Sequence, residues 1–188
     1  MLDFARPRTG RAPFDPKGLR MRLAAVVLAL SLAASAAPGA GAADFRWRSF
    51  SEGYAEAQAT GRPMLVDVYT DWCGWCKRMD RDVYTKPEVR AALAAWFVPI
   101  KLNAESPEAA RFEGRAFTAR TLAQHFGVSG YPTTLFLRSS GAPITRVPGY
   151  VPAERFALIL RYIGEDHIGR GVKWDAFERA AQAKGAPR

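Results

Sequence analysis

"LVDVYTDWCGWCK", Leu65 to Lys77, decides the fold of this chain. It joins a short apolar, β-branched run to the only two cysteines of the sequence, Cys73 and Cys76, three positions apart. A run of this length and composition, Pro63 to Thr70, suits a strand buried on both faces. "KRMDRDVY" follows and is expected to be helical, so both cysteines fall where a strand gives way to a helix.

Three chemistries fit two such cysteines: a redox pair, half of a metal site, or two buried small residues. A zinc site needs a second C-x-x-C or a histidine pair. His125 and His167 stand 42 positions apart, and neither belongs to an H-x-x-x-H arrangement, so no metal is expected. Inert cysteines are often buried, but Asp71, Trp72, Gly74 and Trp75 read as a turn at the surface. At the mouth of a helix, Cys73 meets unpaired backbone N–H groups and the positive end of the dipole, both of which favour thiolate over thiol. Cys76 lies on the same helical face, near enough for a disulfide. It can therefore expel whatever Cys73 captures, and this cycle of thiol–disulfide exchange needs no cofactor beyond the cysteine pair.

The N-terminal segment sets the compartment. Arg20 and Arg22 precede an apolar run, Leu23 to Ala37, which ends at Pro38 before the small residues Gly39 to Ala43. These are the three parts of a secretory signal, and 15 apolar residues fall short of the roughly 20 that a spanning helix needs. Cleavage is expected after Ala42 or Ala43, giving a periplasmic or secreted protein. Residues 1–20 lack periodicity and read as an extended leader, or as sequence upstream of a start at Met21. Residues 44–188 are expected to form one domain with a C-terminal helical extension.

Charge argues against nucleic acid as a partner. Residues 1–43 hold six basic and two acidic residues, so their removal lowers the formal net charge by four, from +9 to +5. The remaining basic residues are scattered singly among acids, without a Lys/Arg block.

Along the expected domain, an exposed "DFRWRS" (residues 44–49) leads into a helix over Ser49 to Thr60, stopped by Gly61 and Pro63. "KPEVRAALAAWF" is helical, with Pro87 in its first turn, and "FVPIKLNA" (Phe97 to Ala104) is a second strand. Glu105 to Phe117 reads as a short helix or an inserted loop. Thr118 to Phe126 reads as a helix ended by Gly127. "TTLFLRSSGAPITRVPG" is a hairpin around Ser139, Ser140 and Gly141. Pro152 to Asp166 is a helix with Phe156, Ile159, Leu160 and Ile163 on one face, and Gly169 to Lys184 a last one. The order is that of a small α/β sandwich, parallel strands first and an antiparallel hairpin last.

Three stretches together carry a resemblance. "LVDVYTDWCGWCK" resembles the active-site strand and helix of the thioredoxin superfamily, "IKLN" (Ile100 to Asn103) its next strand, and "FGVSGYPTTLFL" (Phe126 to Leu137) the loop with its cis-proline. They cover roughly residues 47–166. Within the superfamily the chain looks most like extracytoplasmic thioredoxin-like proteins related to the C-terminal domain of DsbD. The resemblance implies a three-layer α/β sandwich, a central mixed sheet with helices on both faces.

The resemblance also implies a cis Tyr131–Pro132 bond, which leaves the Tyr131 backbone free to pair with an extended substrate. It assigns Asp67, buried in the first strand, the role of taking the Cys76 proton by way of water. Lys101 matches the lysine that holds this aspartate. Trp72, Gly74, Trp75 and Tyr131 are expected to meet the substrate.

Strong oxidants of the fold it resembles tend to carry a His between the cysteines, whereas Gly74–Trp75 places no cation there, and the resemblance puts the Asp67–Lys101 pair in the reducing branch. A reductase or electron relay is therefore expected, acting on disulfides of exported proteins as a monomer. With no nicotinamide or flavin motif, its electrons would come from a partner such as a membrane thiol transporter. The competing reading is a redox-inactive peptide-binding or chaperone-like module in which the Cys73–Cys76 disulfide is structural.

Overall fold

The computed structural model describes residues 45–185. Helix α1 (Phe50–Thr60) starts from a capping box in which Ser49 and Glu52 satisfy each other's backbone N–H groups, and it stops at Gly61, whose φ of 72° few other residues adopt. Strand β1 (Met64–Tyr69) follows, buried along its length except at Tyr69. Helices α2 (Gly74–Asp82) and α3 (Pro87–Trp96) carry the chain to strand β2 (Val98–Asn103). Pro87 begins α3, where its missing N–H costs nothing.

β2 runs parallel to β1, with Met64 opposite Val98 and Asp67 opposite Lys101. The main sheet is completed by β5 (Thr133–Leu137), antiparallel to β1, and β6 (Pro143–Pro148), giving the spatial order β2-β1-β5-β6. Alternation along β1 assigns its two faces. Met64, Val66 and Val68 pack with Phe50 and Tyr54 of α1 and Leu122 of α4 (Ala119–His125). Leu65 turns the other way, with Phe136 of β5, onto Met79 of α2, Leu93 of α3 and Phe156 and Leu160 of α5 (Ala153–Gly164). Helices therefore cover both faces of a mixed sheet, as the three-layer reading requires. Gly53 lets α1 approach the sheet closely, since a Cβ there would lie 2.3 Å from Ile100 Cγ1.

Three local expectations are corrected. Glu105 to Phe117 is neither a helix nor a plain loop: β3 (Ala109–Phe112) and β4 (Arg115–Thr118) form a separate antiparallel hairpin. Its turn residues Glu113 and Gly114 have φ of 50° and 74°, the positive pair a two-residue hairpin turn needs. Ala110 and Phe112 point inward onto the α1 layer. The segment read as exposed, "DFRWRS", instead follows the outer edge of β2 from residue 45 onward. Arg48 bridges to Ile100 in parallel, which pairs backbone groups an open edge would leave bare, and Trp47 is half-buried.

The last helix, α6 (Trp174–Gly185), begins later than Gly169, because turns occupy the preceding residues and Gly171 has φ of 71°. Its Phe177 is buried against Tyr162 and His167. Among the described residues no helix is long and apolar enough to cross a membrane. The expected leader and cleavage site lie outside the described residues.

Candidate active site

β1 ends at Tyr69, and a short turn, in which the Cys73 N–H donates to the Thr70 carbonyl at 3.2 Å, delivers Cys73 to the start of α2. Cys73 is the N-cap of that helix, still extended at φ −69° and ψ 106°. Its Sγ accepts the Cys76 backbone N–H at 3.1 Å, as a serine oxygen would at an ordinary cap. Cys73 and Cys76 are joined by a disulfide, their Cα atoms 5.3 Å apart. Both are buried, while Trp72, Gly74 and Trp75 around them are exposed. The expected surface turn thus holds for the flanks, whereas the two cysteines themselves are nearly covered.

The Tyr131–Pro132 bond is cis. Thr133, which opens β5, pairs with Val68, so the proline loop lies at the same end of the sheet as the cysteines. Pro132 O accepts the Gly149 N–H at 2.8 Å, and the Thr133 hydroxyl donates to Gly130 O at 2.7 Å, which pins the loop from both sides. Among the described residues neither backbone group of Tyr131 is used in a hydrogen bond. The Tyr131 ring meets Trp72 edge to face, centroids 6.1 Å apart.

Asp67 is 1% exposed, on the face of β1 that looks toward α2. Its Oδ2 accepts from Lys101 Nζ at 2.5 Å, while Oδ1 has no hydrogen-bond partner among the described residues. Burial pushes the Asp67 carboxyl above the usual carboxylate range; Lys101 opposes this, and the nearby carboxylate of Asp80 adds to the rise. Burial acts to lower the Lys101 ammonium, but Asp67 and Asp80 outweigh it and its pKa is raised. The Tyr84 hydroxyl is held well above its ordinary value by burial and by Asp67, and stays a neutral neighbour.

The structure therefore brings all nine expected residues to one end of the sheet or directly beneath it, and adds four that sequence reasoning missed. Asp80, one turn after Cys76 on α2, is the second carboxylate on Lys101 Nζ. The rings of Trp47, Tyr69 and Tyr84 surround that ammonium at 4.9, 5.0 and 5.2 Å. The spacing Cys76-x-x-x-Asp80 was the available signal, because i and i+4 share a helix face.

Comparison with known proteins accords with this geometry. The sequence model of the Thioredoxin-like domain family matches residues 50–164, more than half of the chain. The thiol:disulfide interchange protein DsbD of Ralstonia nicotianae is 38% identical over 159 residues, 81% of this chain and 23% of that protein. DsbD of Escherichia coli K12 is 34% identical over 109 residues, 57% of this chain and 18% of that protein. The chain thus spans about a quarter or less of the length of these relatives.

Among solved structures, a thioredoxin from Thermus thermophilus superposes with a TM-score of 0.54 at 30% identity, covering 64% of this chain and 87% of that one. A thioredoxin-fold protein from Helicobacter pylori superposes with a TM-score of 0.58 at 20% identity, over 70% and 93%, and shares the fold. A C-x-x-C disulfide at the head of a helix, on this fold and with this homology, supports thiol–disulfide oxidoreductase chemistry in the broad sense. The chain belongs to the thioredoxin-like family.

Proposed function

We propose that this protein works in an exported compartment as a reductase or electron relay for disulfides of other exported proteins. The observation that carries this is the seat of Cys73: it caps α2, and the Cys76 N–H is aimed at its sulfur at 3.1 Å. Once the pair is reduced, that N–H and the helix dipole favour the Cys73 thiolate. The thiolate attacks one sulfur of a substrate disulfide, forming a mixed disulfide and releasing the first substrate thiolate. Cys76 then loses its proton and attacks Cys73 Sγ, closing the Cys73–Cys76 disulfide and releasing the second thiolate. Two electrons pass to the substrate, and two protons end on its thiols.

Asp67 is the acceptor for the Cys76 proton, by way of water. Lys101 links it to Asp80, one turn from Cys76. The raised pKa suits a group that must both take and return a proton. The Tyr131 backbone, presented by cis-Pro132, pairs with an extended segment of the substrate. Trp72 and Trp75 supply apolar contact, and Gly74, with nothing within 4 Å of where a Cβ would be, leaves room above the sulfurs.

The reducing direction rests on the Gly74–Trp75 dipeptide, which puts no cation between the cysteines, and on the Asp67–Lys101 pair. Electrons would reach Cys73–Cys76 from a partner dithiol, such as a membrane thiol transporter. Export rests on the signal-like residues 20–43, and Edman sequencing of the mature protein should begin at residue 43 or 44. The test is insulin reduction driven by dithiothreitol. Wild type should accelerate precipitation of the insulin B chain, and Cys73→Ser should run at the uncatalysed rate. Equal rates would leave the disulfide structural and the enzyme reading wrong.

A further inference from the structure

Trp72 and Trp75 are the two large apolar side chains left exposed among the described residues, at 66% and 55%, and each adjoins a cysteine. Their surroundings carry opposite charge. The Trp72 indole N–H donates to Glu105 Oε2 at 3.0 Å, and Asp71 beside it accepts from Asn103 at 3.0 Å, so this rim carries two carboxylates, with the Arg120 guanidinium on the Glu105 carbonyl at 2.9 Å as its cation. Trp75 lies against Tyr150, ring centroids 5.4 Å apart, and the Arg78 guanidinium sits 5.3 Å from the centre of each ring. This rim is basic.

We propose that Trp75, Tyr150 and Arg78 form a cationic docking ledge that selects disulfide partners carrying acidic residues next to their reactive cysteine. The inference deepens the oxidoreductase reading and rests on it. Arg78 follows Trp75 by three residues and so shares its helix face. Two aromatic faces hold its guanidinium by the ring quadrupoles, without consuming its N–H donors. Among the described residues its one hydrogen bond runs from Nε to Asp82 Oδ2 at 3.3 Å, and half of the side chain is exposed. The terminal nitrogens are thus available as a planar fork of the kind that pairs with a carboxylate.

Charge on the helix adds to this. α2 presents Lys77, Arg78 and Arg81, whereas Asp82 is shared between the two arginines and Asp80 is engaged by Lys101. The surplus at the ledge is positive. Across the disulfide Asp71 and Glu105 outnumber Arg120, so the positive surplus lies on the Trp75 side and an acidic residue is drawn there. A partner segment is thereby given a direction as well as a preference.

The test uses the full-length protein, reduced with dithiothreitol and desalted, in single turnovers. The substrates are disulfide-linked dimers of short peptides whose single Cys is followed by two Glu, two Gln or two Lys. In each turnover the enzyme dithiol becomes the Cys73–Cys76 disulfide and one peptide disulfide becomes two thiols. At low ionic strength the Glu peptide should be reduced about tenfold faster than the Lys peptide, and this ratio should fall toward one in ~0.5 M salt. Arg78→Glu should abolish or invert the ratio. Arg111→Glu makes the same change of net charge on β3, across the sheet from α2, and should keep the wild-type ratio. Equal rates for the three peptides in wild type, or an unchanged ratio in Arg78→Glu, would overturn the ledge and leave the oxidoreductase reading standing. Failure of wild type to reduce any peptide would overturn both.

Discussion

Lys101 Nζ lies 2.5 Å from Asp67 Oδ2, although the residues are 34 positions apart. The parallel register of β1 and β2 sets them opposite one another, so their side chains leave the sheet on the same face. α2 crosses above, and Asp80 on it takes a second contact with the same ammonium. One lysine thus ties the sheet to the helix that begins at the disulfide, and several consequences can be measured.

Asp67→Asn should stabilise the protein at neutral and alkaline pH. Because the native pKa of Asp67 is raised, the folded state binds more protons than the unfolded state across the interval between the two values. Stability from the protonated carboxyl is therefore present below about pH 4, the unfolded value, and is lost as pH rises through the native one. Thermal melts from pH 4 to 9 should show a downward slope in wild type that Asp67→Asn lacks, with the variant's Tm the higher of the two at the alkaline end. Parallel curves would mean that the carboxyl is not perturbed.

Lys101→Met should act in the opposite sense. It strips the cation from two carboxylates, one of them buried, and breaking such a pair costs about 3–5 kcal/mol near neutral pH. Lowering the pH should recover much of this, since Asp67 escapes by protonation. Urea unfolding at pH 5 and pH 8 distinguishes this from a simple packing loss, which would be the same at both.

Gly53→Ala should cost ~1–3 kcal/mol by overpacking α1 against Ile100. Ile100→Val in the Gly53→Ala background should return part of that loss, because the two sites touch. Strict additivity would contradict the close approach.

Cys76→Ser should trap substrate. Without the resolving sulfur, the mixed disulfide on Cys73 should accumulate and be seen as a mass adduct on non-reducing analysis, whereas Cys73→Ser should form none. Adducts on Cys73→Ser instead would exchange the two roles.

Much of this was legible in the chain because the deciding elements are locally consistent. β1 is apolar but for Asp67, the C-x-x-C pair follows it closely, and Ser49, Gly61 and Pro87 mark helix ends by their backbone chemistry. The β3–β4 hairpin was not legible: its strands have four residues each, two of β3 are alanine, and the turn is Glu-Gly rather than the usual Asn-Gly or Asp-Gly. The Cys76-x-x-x-Asp80 spacing puts Asp80 on the helix face of Cys76, but its partner Lys101 comes only from the packing of α2 over β1 and β2. Likewise Tyr150 reaches Trp75 through the loop after β6, a contact between residues 75 apart that no periodicity announces.

The most direct test of the central claim is the pH dependence of alkylation by iodoacetamide in the reduced protein, with the modified sulfur located by mass spectrometry. Cys73 alone should be labelled rapidly, and already at a pH where free cysteine, half-ionised near ~8.5, is mostly protonated. Labelling of Cys76 first, or of Cys73 with the profile of a free thiol, would contradict it.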